Sequence, residues 1–523
     1  MRFPFSNTVS SSRKSHGTRN WIQPEANKAS SLRSVIMETP IPDYLYLALK
    51  QYNGLDARPI VNVGDKVLKG QKIAEARDEF GVPVHAPTSG MVAAISRHPY
   101  PDEFGSDAIA LCIKTDGLDR WIPRQPEDDL HTLSAQQLIK KIREAGIISL
   151  AGSGEFPNRE PIDTLIINGA ECEPYVTCNQ ALIREHPENI ISGAKILLQI
   201  YRAKHCIIAI EENSTDAIDA LKPALEDQSI ELNLVPARYP ASSDKQLIQV
   251  LTKKEVPASK RPEDIGVSII NAAAAAAIHN AIISGEPLIS RVTTVCGDTL
   301  KTPKNFRALI GTPVAFLFEL CGIDYSRLSR VVMGGSLTGI TLNNLDTPLI
   351  KTSDCLIAGS SQEFPSAPTA HECIRCGFCS SACPVGLMPQ QLYNSIRAGM
   401  TDKAQQQGLD DCIECGACAY ICPSHIPLVQ YYRYAKFELK DQNVRYEQSR
   451  KWQRRFEYRQ HRLLENEKRK QGNRHRSLAR PEIIETTDTA LENFSREQAS
   501  IEIADAVARV KARKNKKNSE DKT

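Results

Sequence analysis

At 523 residues, with 41% hydrophobic and 24% charged side chains, the chain has room for roughly three or four globular domains and is neither low-complexity nor fibrous. Its 65 basic and 62 acidic side chains nearly cancel to a formal charge of +3, so no global field selects nucleic acid as a partner. No apolar run reaches the ~18 residues of a spanning helix, and the basic start "MRFPFSNTVSSSRKSHGTRNW" has no apolar core behind it. The sequence therefore predicts neither a spanning segment nor a secretory leader, and a cytoplasmic placement. Of 15 cysteines, eight fall in two repeats and seven are scattered without pairing rhythm, as reduced thiols are.

Residues 1–40 form an N-terminal segment. Residues 41–130 read as β-rich: "PIVNVGDKVLKGQKIAEA" and "VPVHAPTSGMVAAI" alternate apolar and polar positions around the turn signals Gly64, Gly70 and Gly90. The pair has the look of the hammerhead of biotinyl and lipoyl carriers, a barrel-sandwich hybrid. Those carriers bear a modifiable lysine at the hairpin tip; here the tip reads "ARDEFG", so the fold is expected without the swinging arm.

From residue 131 to 290 helices and strands alternate, which predicts an α/β domain. "SAQQLIKKIREAGI" has a 3.6-residue apolar period with Ser134 as N-cap. A Gly-rich stretch, "LAGSGEFPN", and the strand "IDTLIINGA" follow, then the helix-like "NIISGAKILLQIYRA" and the strand "HCIIAIEEN". Ligands of such folds sit at the C-terminal strand ends, which makes Asn168–Tyr175 a natural site. The alanine run after Asn271 predicts a good helix, and His279 within it is expected to be an ordinary helical histidine. Residues 291–355 read as strand, helix and Gly-rich strand ends, with Gly334, Gly335 and Gly339 as turn glycines or a loop beside a cofactor.

The strongest signal lies in 365–430. "CIRCGFCSSACP" and "CIECGACAYICP" both read C-x2-C-x2-C-x3-C-P, the two-cluster ferredoxin run in which the fourth cysteine serves the other cluster. One 4Fe-4S cluster is thus expected on Cys373, Cys376, Cys379 and Cys422, and the second on Cys412, Cys415, Cys418 and Cys383. Pro384 and Pro423 stop each loop from continuing as helix, while Gly377 and Gly416 let the backbone close on an inorganic core. Structural zinc is the competing reading, but its modules pair two C-x2-C knuckles rather than three successive steps with a distant fourth. Clusters carry single electrons, and a flavin usually links them to a nicotinamide, so the upstream residues are where such a converter is expected.

Residues 431–523 form a basic helical and disordered tail. Between 431 and 480 there are 16 Lys or Arg against six Asp or Glu, interleaved with aromatics such as Tyr446, Trp452 and Phe456. Such a helix suits anionic headgroups or an acidic partner, and equally a solvated tail. The end, "KARKNKKNSEDKT", is expected to be disordered in isolation.

Taken in order, "NGAECEPY", "KQLIQVLT", "GEPLISRVTT", "GTPV", "VVMGGSLTG" and the double cysteine run resemble the C subunit of the Rnf (Rsx) ion-translocating electron-transport complex over roughly residues 40–440. The resemblance implies a barrel-sandwich hybrid, an α/β NADH/FMN-type domain, a β-grasp-like module and a double 4Fe-4S domain. It implies a peripheral subunit on the cytoplasmic face of the inner membrane, partnered by the other Rnf subunits. Electrons would pass between NAD(H), or another soluble donor, and two 4Fe-4S clusters through FMN, coupled to ion translocation. Asn168, Glu171 and Glu173 match the family's site loop, where paired carboxylates accept nicotinamide hydroxyls. The family's Gly-rich loop, close to GGAGFPT and followed by a lysine, reads "AGSGEFPNREP" here. Gly152, Gly154 and Phe156 match it, Glu155 intrudes, and the lysine is absent. A carboxylate in an anion cradle opposes a phosphate. The alternative implied is an electron-wiring adaptor that keeps its clusters but has a decayed flavin/NADH site.

Overall fold

The computed structural model describes residues 21–51, 56–77, 81–127, 130, 133–147, 162–225, 229–258, 260–478 and 503–509. Residues up to Lys440 form one compact unit and those from Asp441 onward a second.

The first short strand, β1 (Met37–Glu38), joins a later sheet. β2 (Tyr44–Ala48), β3 (Arg58–Pro59), β4 (Lys66–Val67), β5 (Lys72–Glu75), β6 (Val84–His85), β7 (Gly90–Pro99) and β8 (Asp107–Thr115) then form two antiparallel sheets, ordered β2-β8-β7-β4 and β3-β5-β6. Their inward residues, among them Leu47, Val67, Ile73, Val92, Leu111 and Ile113, close one core. This is the barrel-sandwich hybrid that the hammerhead resemblance implies. Asp78–Phe80 of its tip lie outside the described residues.

The α/β domain runs through α1 (Ala135–Glu144), β9 (Thr164–Asn168), α2 (Cys178–Glu185), α3 (Pro187–Tyr201), β10 (His205–Glu211), α4 (Thr215–Leu221), β11 (Ile230–Val235), α5 (Asp244–Thr252), β12 (Val267–Asn271) and α6 (Ala272–Ile283). Ser134 caps α1 in a full capping box with Gln137, as the sequence predicts. The four strands are parallel in the order β11-β10-β9-β12. The centres of "TLIIN" and "VSIIN" are buried on both faces because helices cover both sides of the sheet. Chain order reverses between β9 and β12, which opens a crevice at their C-terminal ends. The alanine run of α6 meets α3 so closely that a Cβ on Gly193 would lie 1.9 Å from the Ala275 carbonyl oxygen.

β13 (Ser290–Cys296), β14 (Lys304–Leu309), α7 (Val314–Leu320), β15 (Leu328–Met333), β16 (Ile340–Leu342) and β17 (Cys355–Ser360) build a mixed sheet ordered β1-β14-β13-β17-β15-β16. Its centre, β14-β13-β17-β15 with a parallel β13/β17 pair, has the strand order of a β-grasp.

In the cysteine-rich region, α8 (Phe378–Ser381) and α11 (Ala417–Tyr420) repeat one geometry. Each follows a left-handed glycine, Gly377 at φ 78° and Gly416 at φ 77°, two residues after a left-handed Arg375 or Glu414. Between them lie α9 (Pro389–Arg397) and α10 (Thr401–Gln406). The last helix, α12, spans Leu428–Leu478. Its first turns are no tail: Leu428, Tyr432, Ala435 and Leu439 are buried in the cysteine domain's core with Leu392 and Leu409. A boundary at residue 430 therefore cuts a helix. From Asp441 to Gln471 the chain is almost wholly exposed, as its charge predicts.

Residues 21–36, inside the N-terminal segment, are a strap. Ile22 exchanges backbone hydrogen bonds with Tyr239, Ala26 accepts from Tyr175 N, and Lys28 donates to the Glu171 carbonyl and pairs with Glu211. Ser31 Oγ meets Thr177, and the Ser31 carbonyl accepts from Asn305.

Candidate functional site

A cavity of about 530 Å³ occupies the crevice predicted by the strand reversal. Asn168 and Asn271, paired in register at the ends of β9 and β12, form its floor. The start of α5 gives Ser243 and Asp244, α2 gives Asn179, and the β-grasp-like module gives Gly334, Gly335, Thr338 and Gly339. The three glycines are thus both turn formers and the wall of a cavity.

Three buried polar atoms of this lining have no partner: Asn179 Oδ1, Ser243 Oγ and Asn271 Nδ2. A buried polar atom without a partner costs about 1–3 kcal/mol, and at a cavity wall it is satisfied by what fills the cavity. These residues offer one acceptor, one donor and one hydroxyl, which suits a ligand that is polar along its length. Asn179, Ser243 and Asp244 were not legible as site residues, because each lies at a helix start just outside the motifs that mark this region. Asp244 is desolvated, which pushes its carboxyl up to about 6 despite a hydrogen bond from Asn168.

Asn168 is held by its own loop: Nδ2 donates to the Ser242 carbonyl at 2.9 Å, and Oδ1 accepts from Ala170 N at 3.2 Å. Glu171 and Glu173 both reach the cavity lining, yet the structure gives their oxygens other work than accepting nicotinamide hydroxyls. Glu171 caps α2, whose Thr177 makes no side-chain cap, by accepting from Asn179 N at 2.7 Å and Gln180 N at 2.9 Å. Glu173 accepts from Leu337 N at 2.7 Å and Thr338 N at 3.0 Å and so tethers the glycine loop. Burial raises the pKa of both carboxyls. Gly152, Gly154 and Phe156, with Glu155, lie outside the described residues. His279 sits on α6 with Nδ1 2.7 Å from Ser192 Oγ and does not line the cavity.

The eight repeat cysteines divide by cavity. Cys373, Cys376, Cys379 and Cys422 line a space of about 350 Å³, and Cys383, Cys412, Cys415 and Cys418 line a second, smaller one. These are the crossed groupings that the spacing predicts. Each set of four thiols lines a space of its own. A four-sulfur donor set spread around a space fits a cubane.

The two sets differ in surroundings. Cys376 is exposed, with Ile374 67% and Phe378 54% exposed beside it, whereas Cys383, Cys415 and Cys418 are buried. Burial pushes the Cys415 thiol up to about 12, so it ionises when a metal takes the place of its proton. The buried set also abuts the loop that walls the large cavity. A Cβ on Gly416 would lie 3.0 Å from the Leu337 carbonyl oxygen, Tyr239 Oη donates to the Cys415 carbonyl at 2.5 Å, and Arg433 bridges Glu414 and the Thr338 carbonyl.

Comparison with known proteins accords with this division. Residues 17–118 match the RnfC barrel-sandwich hybrid domain, 142–280 the Nuo51 FMN-binding domain and 369–426 the 4Fe-4S dicluster domain. The fold and its cavities thus define a protein of the flavin and iron–sulfur electron-transfer class. The chain is 44% identical over 457 residues to the C subunit of the ion-translocating oxidoreductase complex of Pseudomonas aeruginosa, covering 86% of this chain and 59% of that one. It is 43% identical over 466 residues to the corresponding protein from Yersinia pestis bv. Antiqua, which bears the same name, covering 88% and 75%. It belongs to this family, the C subunits of ion-translocating oxidoreductase complexes, and it spans about three fifths of the Pseudomonas relative's length. Among solved structures, an NAD+-reducing [NiFe]-hydrogenase in the H2-reduced state aligns with a TM-score of 0.43 at 16% identity, over 58% of this chain and 64% of that one.

Proposed function

We propose that the chain is the peripheral electron-input subunit of an Rnf-type membrane complex, exchanging electrons with NAD(H) at the large cavity and relaying them through two 4Fe-4S clusters to other subunits. The observation that carries this reading is the seriation of the three cavities. The glycine loop that walls the large cavity lies against the buried cysteine repeat, where the Leu337 carbonyl meets Gly416, and the other cysteine set opens outward. When bound, FMN supplies the conversion between a two-electron donor and one-electron carriers.

The residues' own tasks follow from their positions. Asn179 Oδ1, Ser243 Oγ and Asn271 Nδ2 bind and orient the flavin through the partners they lack. Glu173 fixes the glycine loop that forms the opposite wall, and Glu171 fixes the helix that carries Asn179. Cys383, Cys412, Cys415 and Cys418 hold the cluster nearer the flavin; Cys373, Cys376, Cys379 and Cys422 hold the one nearer solvent. The exposed Cys376 loop is where a partner subunit receives the electron. Among the described residues no helix is long and apolar enough to cross a membrane, which fits attachment through partners or headgroups.

The test is to purify the protein anaerobically, assay iron, sulfide and FMN, and add NADH. Bleaching of the flavin band followed by loss of cluster absorbance is the expected result. Clusters without flavin, untouched by NADH, would leave the wiring adaptor, which the Glu155 intrusion favours.

A further inference from the structure

From the hydrogen bonds at the wall between the large cavity and the buried cysteine set, we infer that Tyr239 is a positioning residue that sets the reduction potential of the cluster held by Cys415. The inference rests on the proposed assignment of that cluster.

Tyr239 is 2% exposed, and its backbone is fixed by reciprocal hydrogen bonds to Ile22, so its ring has one place to be. It packs in one small cluster with Cys415 and Ala417, against Leu337 and Cys172. Its hydroxyl has a single proton, which it donates to the Cys415 carbonyl at 2.5 Å. Glu173 holds Leu337 N and Thr338 N of the cavity's glycine loop. Tyr239, with the Glu173 charge nearby, therefore stands at the seam between the cavity's glycine loop and the backbone of a cluster ligand. No comparable link reaches the Cys373 set among the described contacts.

Hydrogen bonds around the ligands and the local dielectric are what tune an iron–sulfur potential. The hydroxyl's positive end points at the Cys415 carbonyl and so favours the added electron of the reduced cluster. The negative charge of nearby Glu173 opposes that effect. A ligand that repositions the glycine loop moves Glu173, so cavity occupancy and this one potential are coupled.

Potentiometric titration of the full chain with electron paramagnetic resonance detection, resolving the two clusters, tests this. The Cys383→Ala variant identifies the signal of the buried set. Tyr239→Phe removes only the hydroxyl; the buried set's cluster is expected to be about tenfold less reduced at a given potential, a downward shift of about 59 mV, with the other cluster unmoved. Glu173→Gln is expected to shift the same cluster upward, and it carries the test if Tyr239→Phe does not assemble. Absence of a shift in either variant, or an equal shift in both clusters, would overturn the inference. Fewer than two cubanes in the unmodified chain would overturn the assignment on which it rests.

Discussion

Gly335 faces Glu173 so closely that an added Cβ would lie 1.7 Å from its Cγ and 2.3 Å from its Cδ. Gly335→Ala therefore expels the carboxylate and strands Leu337 N and Thr338 N. A hydrogen bond to a charged group contributes about 1.5–3 kcal/mol. Thr338 N is exposed and regains water, so the net loss is that of the part-buried Leu337 bond, about 2 kcal/mol. If FMN binds only the tethered loop, this loss weakens it about thirtyfold. Gly64→Ala is the control: Gly64 has φ +94° and nothing within 4 Å, so the substitution strains the backbone by about 1–2 kcal/mol far from the cavity. Flavin-depleted protein is titrated with FMN by fluorescence quenching, with thermal melts alongside. The control should melt lower and bind FMN normally. Gly335→Ala binding FMN within threefold of the unmodified chain would refute the tether.

Three further outcomes are expected. The anaerobic protein should hold about eight iron and eight sulfide, and Cys383→Ala about half of each, with the surviving signal that of the Cys373 set; zinc without sulfide would end the assignment. Asp244, raised by desolvation from 3.8 to about 6, is neutral below that pH and charged above it, so affinity for the anionic FMN should fall as pH rises through about 6. The same shift gives folding stability that is full below 3.8 and lost by about 6; an Asp244→Asn variant that keeps the pH dependence of FMN binding would contradict this. Glu155→Gly should tighten FMN by ten- to hundredfold, the equivalent of about 1–3 kcal/mol of like-charge repulsion; weaker binding measured by the same titration would reverse the sign of that effect.

What could be read in advance was what local chemistry dictates. The Ser134 capping box, the apolar strands ending at Asn168 and Asn271, and the crossed cysteine spacing each need only a few neighbouring residues. The crevice followed from strand order, and its loop "NGAECEPY" was legible for the same reason. The roles of Glu171 and Glu173 were not. Glu171 finds its helix start eight and nine residues on, and Glu173 finds its loop 164 residues away, so only the tertiary fold decides which donors reach them. The boundary at 430 failed for a related reason. Charge dominates α12 beyond Asp441, and it hid the buried Tyr432, Ala435 and Leu439 that anchor the helix in the cysteine domain.

The strap over residues 21–36 is synthesised before everything it binds. Lys28 waits 143 residues for Glu171, and Asn305 arrives 274 residues after Ser31. At about 5–20 residues per second, the wait for the last of these partners is on the order of 15–55 s. Contacts of such sequence separation form late because the chain between them must first be ordered. Ile22 closes over Tyr239, the residue that touches the Cys415 carbonyl, so the earliest-made part of the chain backs the ring that reaches one of the last-made repeats.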